Sequence, residues 1–272
     1  MSVTSPAGPM CTRDSLAAEL RDLGLRSGET ILVHSSLSSL GWVCGGPVAV
    51  VLALLDVLGD DGTLVVPTHS GDNSDPEGWQ NPPVPEAWWA DIRASMPPYD
   101  PHTAPTRSVG VIPETVRNWP GAVRSAHPQT SFAAVGPHAA AIVDSHALDC
   151  RLGERSPLAR LEEVGARILL LGAGFESCTA FHLAEYRIPA PQVNNSFAVM
   201  TPQGRSWITV RDTSITTDRF GDLGMAFEKE CPVVLGKVGA AEARFFSLTD
   251  AVAYAVAWLA EQRPRPCTAA ST

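Results

Sequence analysis

The first regular pattern of apolar residues predicts a helix near the N-terminus. Leu16, Leu20 and Leu23 recur at the spacing that gives a helix one apolar face. Thr12 stands where an N-cap side chain is favoured, and Gly24 stands where a helix often ends in a left-handed residue. The pattern therefore predicts a helix that begins after Thr12 and ends before Gly24.

Two short apolar runs flank a second predicted helix. Residues 30–34 and 63–67 are typical of buried strands, and residues 47–59 form an apolar helix that begins at a proline. A serine- and glycine-rich loop at 35–46 joins the first strand to this helix. The order of strand, loop, helix and strand favours a parallel crossover unit, in which ligands bind at the carboxyl ends of the strands.

The pattern after residue 108 predicts a series of short elements. A helix that ends the series is capped by Ser247 or Thr249, and two alternating segments form a hairpin around Gly204. The predicted helices are 110–118, 138–145, 157–164, 179–187 and 247–262, and the predicted strands are 131–135, 167–171, 196–200 and 205–211.

Residues 68–108 interrupt this periodicity. The segment carries acidic residues and is rich in proline and tryptophan. A connection of this length without its own periodicity is usually a functional loop or a lid. We therefore expect it to border a binding site.

Composition narrows the class of protein. The 272 residues are 44% hydrophobic and 18% charged, which favours a folded domain over a disordered chain. The net charge of -9 argues against nonspecific binding of nucleic acid. No apolar run reaches the roughly 20 residues that a membrane helix needs. The six cysteines lack C-x-x-C spacing and no secretion signal is visible, so we expect reduced thiols and a cytoplasmic location.

The clearest candidate for chemistry is a histidine and a glutamate on one predicted helix. His182 and Glu185 are three residues apart and therefore lie on one helix face. An imidazole oriented by a carboxylate suits a general base near neutral pH. A surface His-Glu pair without function has the same spacing. Cys178 lies one turn before His182, where it is either a thiolate nucleophile or a small apolar core residue.

Two glycine- or serine-rich loops give weaker indications of function. Gly172-Ala-Gly174 follows a strand, but Ser177 stands where the third glycine of a dinucleotide fingerprint belongs, so we interpret it as a tight turn. The loop 35–46 leads to a helix N-terminus and suits a phosphate or thioester, or it is a plain capping loop. The seven histidines form no zinc-binding pattern, so no metal is expected.

Five short motifs, taken together, are more specific than any one alone. They are Val33–Gly41, Pro105–Gly110, Arg124–Pro128 with Ser131–Gly136, Ser156–Arg160, and Thr179–Glu185. In this order and spacing the chain resembles the aminoglycoside 3-N-acetyltransferase family. The resemblance extends over about residues 12–262, which implies one domain between tails at 1–11 and 263–272.

This resemblance implies a fold and an activity. The fold is α/β, a single mixed-sheet domain of the antibiotic N-acetyltransferase type with helices packed around the sheet. The activity is transfer of acetyl from acetyl-CoA to the 3-amino group of the 2-deoxystreptamine ring of an aminoglycoside, with no metal. A monomer or a homodimer, without nucleic acid or membrane partners, is expected.

The resemblance also implies roles for individual residues. His182 is the base, and Glu185 orients it or helps to bind the cationic sugar. The residues expected along the pantetheine arm and near the CoA phosphates are Ser35, Ser36, Leu37, Thr106, Arg107, Gly110, Arg124 and Ser125. The acidic residues expected to attract the antibiotic are Asp72, Asp75, Glu77 and Asp218, although a solvated acidic surface is the alternative for each.

Two other functions stay open on the sequence. An acyltransferase of the same fold could act on another amine of secondary metabolism, because fold and cofactor site do not fix the acceptor. A non-catalytic aminoglycoside-binding protein is a more distant alternative, and an intact His182-Glu185 pair argues against it.

Overall fold

The computed structural model describes residues 10–262 as eleven strands and nine helices, joined by loops and one-turn 3₁₀ helices. The strands are β1 Met10–Cys11, β2 Thr30–Ser35, β3 Trp42–Val43, β4 Thr63–Pro67, β5 Val123–Arg124, β6 Phe132–Val135, β7 Arg167–Leu171, β8 Gln192–Thr201, β9 Gly204–Thr213, β10 Val233–Val238 and β11 Ala241–Ser247. The helices are α1 Arg13–Leu23, α2 Gly46–Leu58, α3 Trp89–Ser95, α4 Val111–Arg117, α5 Ala139–Val143, α6 Pro157–Glu163, α7 Phe181–Tyr186, α8 Phe220–Glu230 and α9 Leu248–Gln262.

Seven of the strands form one mixed sheet in the order β10-β11-β7-β2-β4-β6-β5. The central strand β2 pairs parallel with β4 and with β7, and the other neighbours are antiparallel. The predicted crossover unit is confirmed, because Ile31 pairs with Leu64 in the parallel register. The strands β8 and β9 form a separate long hairpin.

Helices bury both faces of this sheet, which is why its central strands read as continuous apolar runs. Leu32 packs into one core with α5 to α9, and Ile31 and Val33 pack into the other core with α1, α2 and α4. The alternation follows from the two-residue period of a strand. The predicted α/β mixed-sheet fold is therefore confirmed.

Local sequence signals fix the helix ends. The Thr12 side chain accepts a hydrogen bond from the Ser15 backbone, and the Ser15 side chain accepts one from the Thr12 backbone, which completes a capping box. Gly24 ends α1 with φ 112°, a conformation that costs glycine little. Of the two predicted caps for α9, Ser247 is the one that accepts a hydrogen bond, from the Asp250 backbone.

The structure adds elements that the sequence pattern did not predict. Met10 and Cys11, expected in the tail, pair parallel with Trp42 and Val43. The pattern also assigned no element to α8, β10 or β11. Four of the six β10 residues are exposed, so this edge strand lacks the alternation by which strands are recognised. Residues 1–9 and 263–272, which include most of both predicted tails, lie outside the described residues.

A partly buried arginine, Arg124, joins the 68–108 segment to the sheet. The Arg124 guanidinium donates hydrogen bonds to Thr68, Ser131, Pro101 and Ala104. Three of these partners, Thr68, Pro101 and Ala104, belong to the segment, and all five acceptor atoms are backbone or hydroxyl oxygens. The segment is thus held against the edge of the sheet rather than standing free in solvent.

The segment is also joined to the β8–β9 hairpin. The Asn73 amide donates to the Ala198 carbonyl and accepts from the Ala198 N–H, both at 2.8 Å. The Tyr99 N–H donates to the same carbonyl at 3.0 Å. These bonds mimic the pairing of an additional strand, and they fix the segment relative to the hairpin.

Two neighbouring histidines, His127 and His146, form a buried polar cluster beneath this region. The rings of His127 and His146 are 4.7 Å apart between centroids. His127 Nδ1 lies within hydrogen-bond distance of two backbone N–H groups, and His146 Nε2 is 2.7 Å from the Arg151 carbonyl. Burial lowers the pKa of His127 to about 3 and that of His146 well below its usual value. Both rings are therefore neutral at pH 7.

We predict that acid destabilises the fold through these rings. A histidine titrates near 6.5 when the chain is unfolded. Below that pH the unfolded chain binds protons that the folded chain does not, so the free energy of unfolding falls by about 1.4 kcal/mol per pH unit for each such ring. Urea unfolding between pH 7 and pH 5 measures this slope. The slope for the His146→Gln variant should be smaller than that for wild type by about 1.4 kcal/mol per pH unit, the contribution of one ring.

The exposed His102 supplies the matched control. His102→Gln should leave the slope unchanged, because this side chain is exposed to water in the folded chain as it is in the unfolded chain. Equal slopes for wild type and His146→Gln would contradict the prediction.

No helix among residues 10–262 has both the length and the apolar content required to cross a bilayer.

Candidate active site

A cleft of about 1210 Å³ opens where the three central strands end. Its walls come from the loop after β2, from His69 after β4, and from the turn 172–174 after β7. The sequence pattern predicts a site at these carboxyl ends, and the parallel pairing of β2 with β4 and β7 brings them together. Gly172 has φ 65°, and a Cβ on it would lie 2.5 Å from Ser39, so the turn there requires glycine.

The floor of the cleft carries the predicted histidine and glutamate on α7. His182 Nδ1 lies 2.6 Å from Glu185 Oε2, and the Thr216 N–H donates to Glu185 Oε1 at 3.2 Å. The imidazole also packs against Phe220, with 4.7 Å between ring centroids. A proton on Nδ1 satisfies the carboxylate, which leaves Nε2 as the nitrogen able to accept a proton.

Glu185 is completely buried, whereas His182 lines the cleft. A buried carboxylate is tolerated when hydrogen bonds replace its lost hydration, and His182 and the Thr216 backbone supply such bonds. This burial fits the predicted orienting role of Glu185. The second predicted role, helping to bind the cationic sugar, stays a prediction, and the carboxylate has no exposed surface in the free protein.

Two further histidines line the same cleft. His34 ends the apolar run of β2, and its Nε2 lies 3.3 Å from Thr179 Oγ1. Burial, together with the neighbouring His182, lowers the pKa of His34 and of His69 to about 3. Both rings are therefore neutral. No sequence motif predicted a role for either ring, although each stands at or just after the carboxyl end of a strand, where ligands bind.

The structure places four of the predicted cofactor residues on the cleft wall, namely Ser35, Ser36, Leu37 and Gly110. Ser35 Oγ is buried and has no hydrogen-bond partner among the described residues. Gly46, the first residue of α2, also lines the cleft. Among residues 10–262, no lysine or arginine lines it.

The other four predicted cofactor residues lie outside this lining. Arg124 uses its guanidinium within the protein, as described above. Ser125 is buried, with its Oγ 3.0 Å from His146 Nδ1. The Thr106 N–H donates to Glu114. Arg107 lines a second cleft and is ion-paired with Asp72 at 2.8 Å. The sequence motifs that contain these four residues did not show that their polar groups bond to other groups of the protein.

The second cleft, of about 590 Å³, lies beside the first, and His69 and Ser108 line both. Asp72 and Asp75 from the 68–108 segment border it, as the sequence analysis expected for a binding loop. Both carboxylates already have cationic partners, because Asp75 pairs with Arg93 at 2.7 Å and Asp72 with Arg107. Asp218 is exposed and lines neither cleft.

The alternative nucleophile, Cys178, is fully buried. Burial raises the pKa of its thiol to about 12. A thiol with this pKa is almost entirely protonated at neutral pH, and nucleophilic attack requires the thiolate. Cys178 therefore acts as a small core residue. Of the six cysteines, the five within residues 10–262 are free thiols, and Cys267 lies outside that range.

Comparison with known proteins gives a consistent result. The family model described as aminoglycoside 3-N-acetyltransferase matches residues 32–260. The SPbeta prophage-derived aminoglycoside N(3')-acetyltransferase-like protein YokD of Bacillus subtilis strain 168 is 48% identical over 249 residues, 91% of this chain and 92% of YokD. The crystal structure of YokD has a TM-score of 0.91 at 46% identity and covers 95% of both chains.

Two solved structures with ligands are also similar. AAC-IIIb in a binary complex with CoASH has a TM-score of 0.83 at 32% identity, covering 95% of this chain and 99% of that chain. AAC-VIa bound to sisomicin has a TM-score of 0.84 at 32% identity, covering 94% of this chain and 99% of that chain. The match extends over nearly the whole chain in sequence and in structure, and so the protein belongs to the aminoglycoside 3-N-acetyltransferase family.

Proposed function

We propose that this protein transfers acetyl from acetyl-CoA to the 3-amino group of the 2-deoxystreptamine ring of an aminoglycoside, which gives resistance. The observation that carries the proposal is the 2.6 Å hydrogen bond between His182 and buried Glu185 on the floor of the main cleft. Membership of the family supplies the reaction and the substrate class. The cytoplasm, where acetyl-CoA is made, is the proposed location.

The main cleft suits the acetyl donor. Backbone and hydroxyl groups of residues 35–37 and Gly110 line it, and the unpartnered Ser35 Oγ supplies a hydrogen-bonding group for the amide-containing pantetheine arm. No arginine or lysine among the described residues lines this cleft, so the N-terminus of α2 at Gly46 is the favoured group for the CoA pyrophosphate.

His182 acts as the general base in this proposal. When bound, acetyl-CoA supplies an activated acyl carbon, and the acceptor must present a neutral amine to attack it. His182 Nε2 accepts the proton that the amine loses as the carbon–nitrogen bond forms, and Glu185 stabilises the resulting imidazolium. The carbon–sulfur bond then breaks, and the departing thiolate can take the proton from His182. The cycle returns the imidazole to its neutral form.

Of the three histidines that line the main cleft, only His182 accepts the proton in this mechanism. Because both are neutral near pH 7, they add no positive charge that would oppose protonation of His182. They remain available as hydrogen-bonding groups for the acyl oxygen or for the acceptor.

One observation favours a second candidate acceptor. Asp72 and Asp75 are each ion-paired with an arginine, so the second cleft offers less uncompensated negative charge than a polycationic antibiotic would use. An acyltransferase of the same fold that acts on a less cationic amine would have such a cleft. Incubation with acetyl-CoA and gentamicin, followed by mass spectrometry, decides between them. A gain of one acetyl group at the 3-amino position supports the antibiotic, and no gain supports another amine.

His182→Ala should lower kcat by about 10²–10⁴-fold while CoA binding stays near that of wild type. The substitution removes the proton acceptor and leaves residues 35–37 unchanged. Thiol release measures turnover, and calorimetry measures CoA binding. His102→Ala is the control, since that ring is exposed outside both clefts. Wild-type turnover in His182→Ala would remove the imidazole from the mechanism.

Glu185→Gln should lower kcat by about 10–100-fold, less than loss of the imidazole, and should leave the acceptor KM unchanged. The amide keeps the volume and can still accept a bond from the ring, but it cannot stabilise an imidazolium by charge. Steady-state kinetics in acceptor and in acetyl-CoA separate the two constants. A raised acceptor KM with normal kcat would instead indicate direct contact between Glu185 and the acceptor.

Asp72→Asn should raise the acceptor KM by about two- to fivefold and leave the acetyl-CoA KM unchanged, because exposed charges contribute little each. The exposed Asp60, which lines neither cleft, gives the matched control variant Asp60→Asn. Equal changes in the two KM values, or no change in either, would show that Asp72 is a solvated surface residue that does not help to bind the acceptor.

A further inference from the structure

The helix that carries the proposed base is short, and its last residue makes contacts away from both clefts. The helix α7 has six residues, Phe181–Tyr186, and a helix of this length is unstable by itself. Its last residue, Tyr186, directly follows Glu185 and lines neither cleft. The contacts of Tyr186 therefore help to decide where this end of the helix lies.

The Tyr186 hydroxyl is bonded to a buried carboxylate. It donates a hydrogen bond to Asp212 Oδ1 at 2.8 Å, and Asp212 is 2% exposed. Burial and the neighbouring Asp212 raise the pKa of Tyr186 above its ordinary value, so the hydroxyl keeps its proton and remains a donor at neutral pH. Hydrogen bonds to a carboxylate are stronger than those between neutral groups.

Asp212 is itself held from two other directions. The Arg151 N–H donates to Asp212 Oδ2 at 3.0 Å, and the Arg151 guanidinium is ion-paired with the same oxygen, with Nε at 3.6 Å. The Thr213 N–H donates to Asp212 Oδ1 at 2.7 Å. The carboxylate is thus a fixed acceptor to which the Tyr186 hydroxyl is attached.

The loop that supplies Arg151 also packs against the Tyr186 ring. The Leu152 N–H donates to the Tyr186 hydroxyl at 3.4 Å. A Cβ on Gly153 would lie 2.2 Å from Tyr186 Cδ1, so glycine allows the loop to approach the face of the ring closely. The phenol is therefore held both at its hydroxyl and on its face.

The stretch of chain that contains Asp212 also reaches Glu185. Four residues after Asp212, the Thr216 N–H donates to Glu185 Oε1 at 3.2 Å. Residues 214–217, between β9 and α8, form no helix or strand, so contacts with neighbouring elements must fix their position. Two hydrogen bonds thus join the end of α7 to this stretch, and the one from Tyr186 to Asp212 is the shorter.

We propose that Tyr186 is a positioning residue for the acetyl transfer. Its bond to Asp212 holds residues 212–216 where the Thr216 N–H meets Glu185, and it thereby fixes the carboxylate that orients His182. The phenol does not contact the reactants, because it lines neither cleft. The inference rests on the proposed function for the reaction that it affects, whereas the contacts themselves belong to the free protein.

Tyr186→Phe should lower kcat for sisomicin acetylation about three- to tenfold, with the KM values for sisomicin and acetyl-CoA unchanged. The substitution keeps the ring against Gly153 and removes only the hydroxyl. Tyr99→Phe is the matched control, because Tyr99 is also half-buried, donates to the Ser125 carbonyl at 3.1 Å and lines neither cleft. Rates are compared below the unfolding midpoints of both variants, and only Tyr186→Phe should be slower.

A double-mutant cycle separates positioning of Glu185 from a general effect on the fold. In the Glu185→Gln background, Tyr186→Phe should change kcat by less than about twofold, because the carboxylate that it positions is gone. An equal factor in both backgrounds would show that Tyr186 does not act through Glu185 and would overturn the proposal. Wild-type kcat for Tyr186→Phe would overturn it as well.

Proton NMR of the free protein tests the same contacts without acceptor or acetyl-CoA. The His182 Nδ1 proton, identified by its absence from His182→Ala, reports on the hydrogen bond to Glu185. Tyr186→Phe should shift this resonance and Tyr99→Phe should not. An unshifted resonance overturns the positioning role, even where kcat falls.

The proposal and the function on which it rests therefore fail in different ways. A wild-type protein that does not acetylate sisomicin, together with a shifted resonance in Tyr186→Phe, removes the function and leaves the positioning of Glu185. Normal acetylation with an unshifted resonance removes the positioning role and leaves the function.

Discussion

The site depends on one buried hydrogen bond, between His182 Nδ1 and Glu185 Oε2. A carboxylate without solvent must be satisfied by the protein, and this requirement fixes the imidazole orientation and leaves Nε2 toward the cleft. The short helix α7 can hold the pair rigidly because Phe181, Leu183 and Ala184 on the same turns are buried in the core. Packing of apolar neighbours thus sets the geometry of the proposed base.

The sheet order determines what surrounds that base. Because β2 lies between β4 and β7 and is parallel to both, the loops that carry Ser35, His69 and Gly172 converge on one edge. The imidazoles of His34 and His69 enter this space uncharged, since burial beside another histidine opposes their protonation. The site therefore combines one oriented imidazole with neutral hydrogen-bonding neighbours and backbone groups.

Three arginines near the site stabilise the fold. Arg124 joins the 68–108 segment to the sheet, and Arg93 and Arg107 neutralise carboxylates of that segment. A guanidinium has five donors in a fixed plane, which suits it to gathering several carbonyls at once. Among the described residues, the main cleft is consequently lined by histidines, serines and backbone groups, without an arginine or lysine.

The sequence by itself determined most helices and strands, the parallel crossover unit, the family, and the pair of His182 and Glu185. These features depend on short-range spacing, such as two residues along a strand or three along a helix, which any reader of the chain can count. Only the tertiary structure decided that Glu185 is completely buried, that the Arg124 guanidinium bonds within the protein, and that β10 and β11 extend the sheet. It alone brought Arg151, Asn195 and His69 to one cleft. Those facts depend on contacts between residues far apart in the chain. The spacing of neighbouring residues does not show which distant group forms a hydrogen bond with a buried polar atom, or whether any does.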